Sequence, residues 1–131
     1  MRYCVIEFNL IRQFLAETTC QKKIVVNLGC GYDPLPFVYL LSTTNAIFVD
    51  VDYPDLIRHK SNIIRETPAL AEIFGEQFGE SNDEIWTEKY HAVGCDLSDL
   101  ALFETLLRNI EPDIDNARLL FISEVAITYM V

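Results

Sequence analysis

The stretch at residues 24–37, IVVNLGCGYDPLPF, decides how the rest of the chain is arranged. Its apolar, β-branched run enters a turn with two glycines, Gly29 and Gly31, and prolines then mark where a helix can begin. Strand, glycine turn and helix in this order bring the backbone of an α/β protein close to a nucleotide-like ligand. A side chain on either glycine would hold the backbone off that ligand or prevent the tight turn. The Gly-x-Gly pattern alone also fits an ordinary turn, so further signals must decide.

Carboxylates at the ends of the following strands supply those signals. Residues 46–52, AIFVDVD, form a second predicted strand that ends in Asp52, about 20 residues beyond the glycines, where an acid can hold ribose hydroxyls. A third strand over residues 90–96 ends in Asp96, and a fourth over residues 119–124 ends in Glu124. Because parallel strands present their carboxyl ends at one edge, we expect the turn and these acids to meet there.

Helices are predicted between these strands from apolar residues spaced three and four apart. They lie at about residues 4–17, in a short segment from Phe37, after Pro54, and from Leu100 until Pro112 stops the helix. The fold class is therefore α/β with a mainly parallel sheet, one half of a doubly wound architecture. Residues 1–131 are expected to be a partial domain whose sheet is truncated after the fourth strand.

Further predictions concern the faces of one helix, one loop and the cap of another helix. In the helix after Pro54, four apolar residues are expected to face the core: Leu56, Ile57, Ile63 and Ile64. Lys60 is expected on a solvated face with Arg58, His59 and Arg65. Residues 72–88, acidic and interrupted by glycines, are predicted to be a loop with Trp86 fixing one end. The residues predicted to cap the helix at Leu100 are Ser98 or Asp96.

The composition narrows the range of partners. The chain has 131 residues, half of them hydrophobic, with 20 acidic against 10 basic side chains and a net charge of −10. That balance disfavours a grip on a phosphate backbone by these residues, because such binding depends on Lys and Arg. Four cysteines without paired spacing predict reduced thiols, with no metal site. The sequence shows neither a signal peptide nor a membrane-length apolar run, so we expect a cytoplasmic protein and no membrane partner.

The identity of the ligand follows from what accompanies the glycines. The sequence after them lacks Gly-Lys-Ser/Thr, which excludes a P-loop, and prolines replace the third glycine that a dinucleotide site needs. Several carboxylates without a phosphate-binding cation suit a nucleoside with a positive centre, and S-adenosylmethionine fits that description. Asp52 would take the ribose hydroxyls, Asp96 and Leu97 would lie by the adenine, and Glu124 would face the amino or sulfonium end.

Four segments, at residues 27–37, 48–53, 94–97 and 120–130, follow one another at consistent spacing. Together they resemble the leucine carboxyl methyltransferase family, most closely its fungal-type tRNA wybutosine-synthesising branch. The match runs in register from about residue 10 to the C-terminus.

The resemblance implies a Rossmann-like, S-adenosylmethionine-dependent methyltransferase fold. The family's cofactor residues carry over to Gly29, Asp52, Asp96, Leu97 and Glu124. The implied acceptor is the side-chain carboxylate of a modified guanosine in phenylalanine tRNA, or, in the protein-directed branch, the C-terminal leucine of the phosphatase 2A catalytic subunit. A carboxylate is already ionised near neutral pH, so no general base is needed and no catalytic residue is assigned. A non-catalytic remnant remains a third alternative, because the predicted sheet would leave an open edge.

Overall fold

A five-stranded sheet organises the residues that the computed structural model describes, namely 10–17, 21–34, 36–37, 46–73, 78–79 and 82–123. The strands are β1 Lys23–Leu28, β2 Ala46–Asp52, β3 Ile85–Trp86, β4 Tyr90–Gly94 and β5 Arg118–Ile122. Their spatial order is β3-β4-β2-β1-β5. β1 pairs in parallel with β2 and β5, β2 pairs in parallel with β4, and β3 runs antiparallel to β4.

The parallel strands follow the order of one half of a doubly wound sheet. Strands β4, β2 and β1 run backwards through the chain order, and β5 then lies on the other side of β1. The strand order therefore reverses between β1 and β5. Ligands of open α/β sheets bind outside the carboxyl ends of the strands at such a reversal.

Helices α1 Pro54–Glu66, α2 Pro68–Ile73 and α3 Leu100–Ile110 connect the strands, and residues 10–16 are also helical. Pro54 occupies the first turn of α1, where its missing N–H leaves no helical hydrogen bond unmade. A 3₁₀ turn, Ile114–Asn116, leads from α3 into β5. The helices within the described residues are too short or too polar to cross a membrane.

Both faces of β1, β2 and β4 are buried, because successive strand residues point to opposite sides and helices cover each side, whereas Phe121 on β5 is half-exposed. The first face packs against α1 and the helical residues 10–16, and its core includes Val25, Phe48, Ile57, Ile64 and Tyr90. The second face packs against α3, and its core includes Ile24, Val26, Val49, Val93 and Leu107. This two-sided burial explains why the strands read as continuous apolar runs.

The predicted fold class and the four parallel strands are confirmed. β2 has the predicted bounds, β4 ends at Gly94 instead of residue 96, and β5 ends at Ile122 within the described residues. The predicted first helix is confirmed over its described part, 10–16. Phe37, the first residue of the predicted short helix, is helical together with residue 36, and residues 38–41 lie outside the described part.

The prediction of a loop over residues 72–88 is wrong at residues 72–73 and 85–86, whereas the other described residues of this range lie in neither a helix nor a strand. Residues 72 and 73 close α2, and Ile85–Trp86 forms strand β3 beside β4. Ile85 is fully buried opposite Ala92, and the ring of Trp86 meets His91 edge-on with 5.1 Å between centroids. Two apolar residues therefore pair with the edge of the sheet, although the segment that contains them otherwise has the composition of a loop.

Candidate functional site

The carboxyl ends of β1, β2 and β4 are joined by backbone hydrogen bonds into one continuous edge. The N–H groups of Gly29 and Cys30 donate to the carbonyl of Val51 at 2.8 and 3.2 Å. On the other side of β2, the N–H of Cys95 donates to the carbonyl of Asp52 at 2.9 Å. Parallel pairing therefore places the glycine turn and the ends of β2 and β4 next to one another, as the sequence predicted.

The glycine turn needs glycine for its backbone conformation. Gly29 has φ of 65° and Gly31 has φ of 53°, values in the left-handed region that other residues rarely adopt. A Cβ built on Gly31 would meet no atom of the described residues within 4 Å. The turn therefore exposes open backbone at Gly31, and the constraint on this position comes from its dihedral angle instead of from crowding.

Asp52 links the turn to the end of β2. Its Oδ2 accepts a hydrogen bond from the N–H of Gly31 at 2.9 Å, and its Oδ1 accepts one from the N–H of Tyr53 at 2.7 Å. A carboxylate offers about four lone-pair positions, so these two donors leave acceptor capacity on both oxygens. The half-buried carboxylate is thereby fixed in orientation and still able to receive two hydroxyl donors.

Asp96 and Leu97 continue the edge beyond β4. Asp96 is exposed, and its Oδ1 accepts from the N–H of Ser98 at 3.0 Å and from its hydroxyl at 2.7 Å. These bonds, the one to the backbone first, hold the pKa of Asp96 below its ordinary value. Leu97 is half-buried and packs against the core of the second face. The turn presents one fixed carboxylate and one apolar side chain.

The predicted caps of α3 are wrong. Asp99 is the N-cap, and its Oδ1 accepts from the N–H of Leu102 at 3.1 Å. Asp96 and Ser98 are occupied with each other in the preceding turn. Of these three residues, Asp99 is therefore the one whose side chain accepts a hydrogen bond from the first turn of α3.

A buried polar network lies beneath the glycine turn. The ammonium of Lys60 donates to Asp50 Oδ2 at 2.7 Å, and the hydroxyl of Tyr90 donates to the same oxygen at 2.6 Å. Lys60 also donates to the backbone carbonyl of Asp33, at the end of the turn, at 3.0 Å. The side chains of Asp50 and Lys60 are 0% and 4% exposed. Three elements and the turn therefore meet at one ion pair.

The electrostatics of this pair follow from its burial. Burial raises the pKa of Asp50, and Lys60 and Tyr90 oppose that rise. Burial lowers the pKa of Lys60, but the neighbouring Asp50 carboxylate outweighs it and leaves the pKa raised. Burial, followed by the Asp50 charge, raises the pKa of Tyr90 well above its ordinary value. Lys60 is thus a charged side chain that is held in the core by its pairing with Asp50.

Sequence reasoning missed Lys60, which it expected on a solvated face. Ile57 and Ile64 are buried, and position 60 lies in phase with them at helical spacing, so periodicity contained the signal. Ile63, predicted for the core, is half-exposed because it lies outside that stripe.

A second contact that the sequence did not predict fixes the end of β4. A Cβ built on Gly94 would lie 2.7 Å from Cα of Pro54, so glycine permits the close approach of β4 to the start of α1. The N–H of Gly94 donates to Glu84 Oε2 at 2.7 Å. The first contact places the end of β4 against the chain that follows β2, and the second joins it to the residue before β3.

Cys30 and Cys95 adjoin the edge as free, buried thiols. Burial raises the pKa of both, so neither carries thiolate near neutral pH. Cys4, Cys20 and Glu124 lie outside the described residues. Within the described part, no cluster of three or more His, Cys, Asp or Glu could hold a metal.

The edge has the chemistry of a nucleoside site. Asp52 can accept hydroxyl donors, Gly31 offers open backbone, and Leu97 offers an apolar surface for a base. Lys60 is held in the core by Asp50 and cannot serve a phosphate. The described residues therefore fit a nucleoside better than a nucleoside phosphate, and S-adenosylmethionine is compatible with that chemistry.

Comparison with known protein sequences gives a family for this chain. The sequence profile of leucine carboxyl methyltransferase matches residues 1–131, the whole chain.

Three fungal relatives carry the same name, tRNA wybutosine-synthesizing protein 4. The relative from Eremothecium gossypii is 46% identical over 127 residues, which cover 88% of this chain and 18% of that protein. The relative from Schizosaccharomyces pombe is 42% identical over 126 residues, with 92% and 18% covered. The relative from Saccharomyces cerevisiae is 40% identical over 136 residues, with 92% and 19% covered. The chain spans less than a fifth of these relatives' length, and its full-length profile match shows that it belongs to the leucine carboxyl methyltransferase family.

Proposed function

We propose that this chain forms the cofactor-binding part of an S-adenosylmethionine-dependent methyltransferase that acts in tRNA wybutosine synthesis. Residues 1–131 would be a partial methyltransferase domain in a cytoplasmic protein. The relatives, all named for wybutosine synthesis, support this branch over the protein-directed one.

The observation that carries the proposal is the position of Asp52. Its carboxylate is fixed by Gly31 and Tyr53 yet retains acceptor capacity, as a residue that holds two adjacent ribose hydroxyls requires. Gly29 and Gly31 would let the backbone approach the cofactor, Asp96 and Leu97 would border the adenine, and Glu124 would face the amino or sulfonium end. When bound, S-adenosylmethionine would supply the methyl group.

The proposed acceptor is a carboxylate on the side chain of the modified guanosine in phenylalanine tRNA. Carboxylates are ionised near neutral pH, so these residues need to orient the reactants and exclude water instead of removing a proton. The net charge of −10 indicates that this part of the protein is not where a tRNA backbone would be held.

A chimera tests the branch directly. In a Saccharomyces cerevisiae strain lacking its wybutosine-synthesizing protein 4, this chain replaces the matching segment of the relative, and wybutosine in phenylalanine tRNA is measured by nucleoside mass spectrometry. Restored wybutosine is the expected result, and the same chimera with Asp52→Ala should lose it. A stably expressed chimera that restores no wybutosine would contradict the proposal. Methylation of the phosphatase 2A catalytic subunit without wybutosine would assign the chain to the protein-directed branch.

A further inference from the structure

The buried pair of Lys60 and Asp50 reaches the glycine turn at a point that no cofactor contact explains. We propose that Lys60, anchored by Asp50 and Tyr90, is a positioning residue that fixes the glycine turn in its ligand-binding conformation. This inference rests on the proposed function, because it concerns the same cofactor site.

Among the described residues, contacts from both β2 and α1 hold the turn. At its start, Gly29 and Cys30 donate to the Val51 carbonyl, and in its middle Gly31 donates to Asp52. At its end, the Asp33 carbonyl accepts from Lys60 at 3.0 Å. The first two contacts come from β2, whereas the third comes from α1. Lys60 is thus a contact through which α1 holds the far end of the turn.

The head of Lys60 is itself fixed in place. Asp50 Oδ2 receives donors from Lys60 at 2.7 Å and from Tyr90 at 2.6 Å, so the carboxylate is anchored between α1 and β4. An ammonium has three donors, and Lys60 directs one to the carboxylate and one to the Asp33 carbonyl. Movement of the turn end would therefore break a bond to a charged group whose position is set from two sides.

Folding stability alone does not explain why the core contains the ion pair of Lys60 and Asp50. Replacing a buried ion pair by well-packed apolar residues is often neutral or stabilising, because taking two charges out of water offsets their attraction. Apolar side chains at these positions could fill the core once Tyr90 is also made apolar, but they could not hold the Asp33 carbonyl. The specific use of the ammonium is the contact to the turn.

Two variants separate positioning from general stability. Asp50→Asn keeps the Lys60 amine, which can still donate to the Asp33 carbonyl, and Asp50→Asn/Lys60→Met differs from it only by loss of that amine. Neither leaves a carboxylate unpaired in the core, and in Asp50→Asn the buried Lys60, without its counter-charge, donates as a neutral amine. If the double variant does not fold, Asp50→Leu/Lys60→Met/Tyr90→Phe replaces it with an entirely apolar substitute.

Hydrogen exchange of the 131-residue chain without ligand is the first measurement. The amides of Gly31 and Asp33 should exchange about fivefold faster in the double variant than in Asp50→Asn, the effect of losing one neutral hydrogen bond. Amides in the middle of β1 and β2 should be unchanged at matched stability. Equal exchange at the turn in both variants would overturn the inference.

Calorimetric titration with S-adenosylmethionine is the second measurement. We expect the double variant to bind about fivefold more weakly than Asp50→Asn, and equal affinities would contradict a positioning role. If the parent chain binds no S-adenosylmethionine, the proposed function fails. The exchange result then still decides whether Lys60 holds the turn.

Discussion

His91 makes folding stability depend on pH in a way that can be calculated from its position. Its side chain lies on β4, only 7% exposed, with its ring edge-on to Trp86. Burial lowers the pKa of His91 from 6.5 to about 4, because the imidazolium is poorly solvated there. In the unfolded chain the ring regains its ordinary pKa, so between these pH values the unfolded state binds more protons. The contribution of the neutral His91 ring to folding stability is fully present above about pH 6.5 and is lost as the pH falls toward 4.

The size of the loss follows from the two pKa values. Their difference corresponds to about 3 kcal/mol, since one pKa unit is worth about 1.4 kcal/mol. Between about pH 7 and about pH 4.5, most of this, roughly 2.5 kcal/mol, should disappear from the free energy of unfolding.

Urea unfolding of the parent and of His91→Leu measures this contribution. Trp86 is the single tryptophan of the chain, so its fluorescence reports unfolding, with circular dichroism as a second probe. Asp50 and the other acids are shared by both proteins, so the difference between their pH profiles isolates His91. The parent should lose more stability on acidification than the variant. Profiles that stay parallel to within about 0.5 kcal/mol would refute the reasoning.

Three substitutions test packing and capping. Lys60→Met leaves the Asp50 carboxylate uncompensated in the core and should cost about 3–5 kcal/mol in urea unfolding near neutral pH; a cost below about 1 kcal/mol, typical of exposed pairs, would contradict its burial. Gly94→Ala places a Cβ 2.7 Å from the backbone at the start of α1 and should cost about 1–3 kcal/mol, so an unchanged melting temperature would count against that contact. Asp99→Ala removes the N-cap of α3 and should cost about 1 kcal/mol by the same unfolding assay, whereas Ser98→Ala, the control, should change little; equal losses would show that the cap was misassigned.

The fold was predictable because its signals are local. Apolar runs that end in Gly29, Asp52 and Asp96 reveal parallel strands, and parallel strands deliver their ends to one edge. Strand β3 was not predictable, since two residues carry no periodicity and Ile85 is a strand residue only because β4 lies beside it.

The polar part of the site was harder to predict for a related reason. Asp50 gains its role from Tyr90, 40 residues away, and from Lys60 on a helix, and such tertiary contacts leave little trace in a single sequence. The charge of Lys60 pointed to solvent, and only its phase with the buried isoleucines pointed to the core. The proposed role of Glu124 stays a prediction, because that residue lies outside the described part of the chain.

Titration of the 131-residue chain with S-adenosylmethionine in a calorimeter tests the central claim, that the strand ends beside the glycine turn form a nucleoside site. The parent should give saturable heat, and Asp52→Ala should remove it. The matched control is Asp55→Ala, whose carboxylate is 88% exposed on α1 and should leave binding unchanged. An absence of heat from the folded parent at millimolar ligand, or binding by Asp52→Ala equal to that of the parent, would contradict the account.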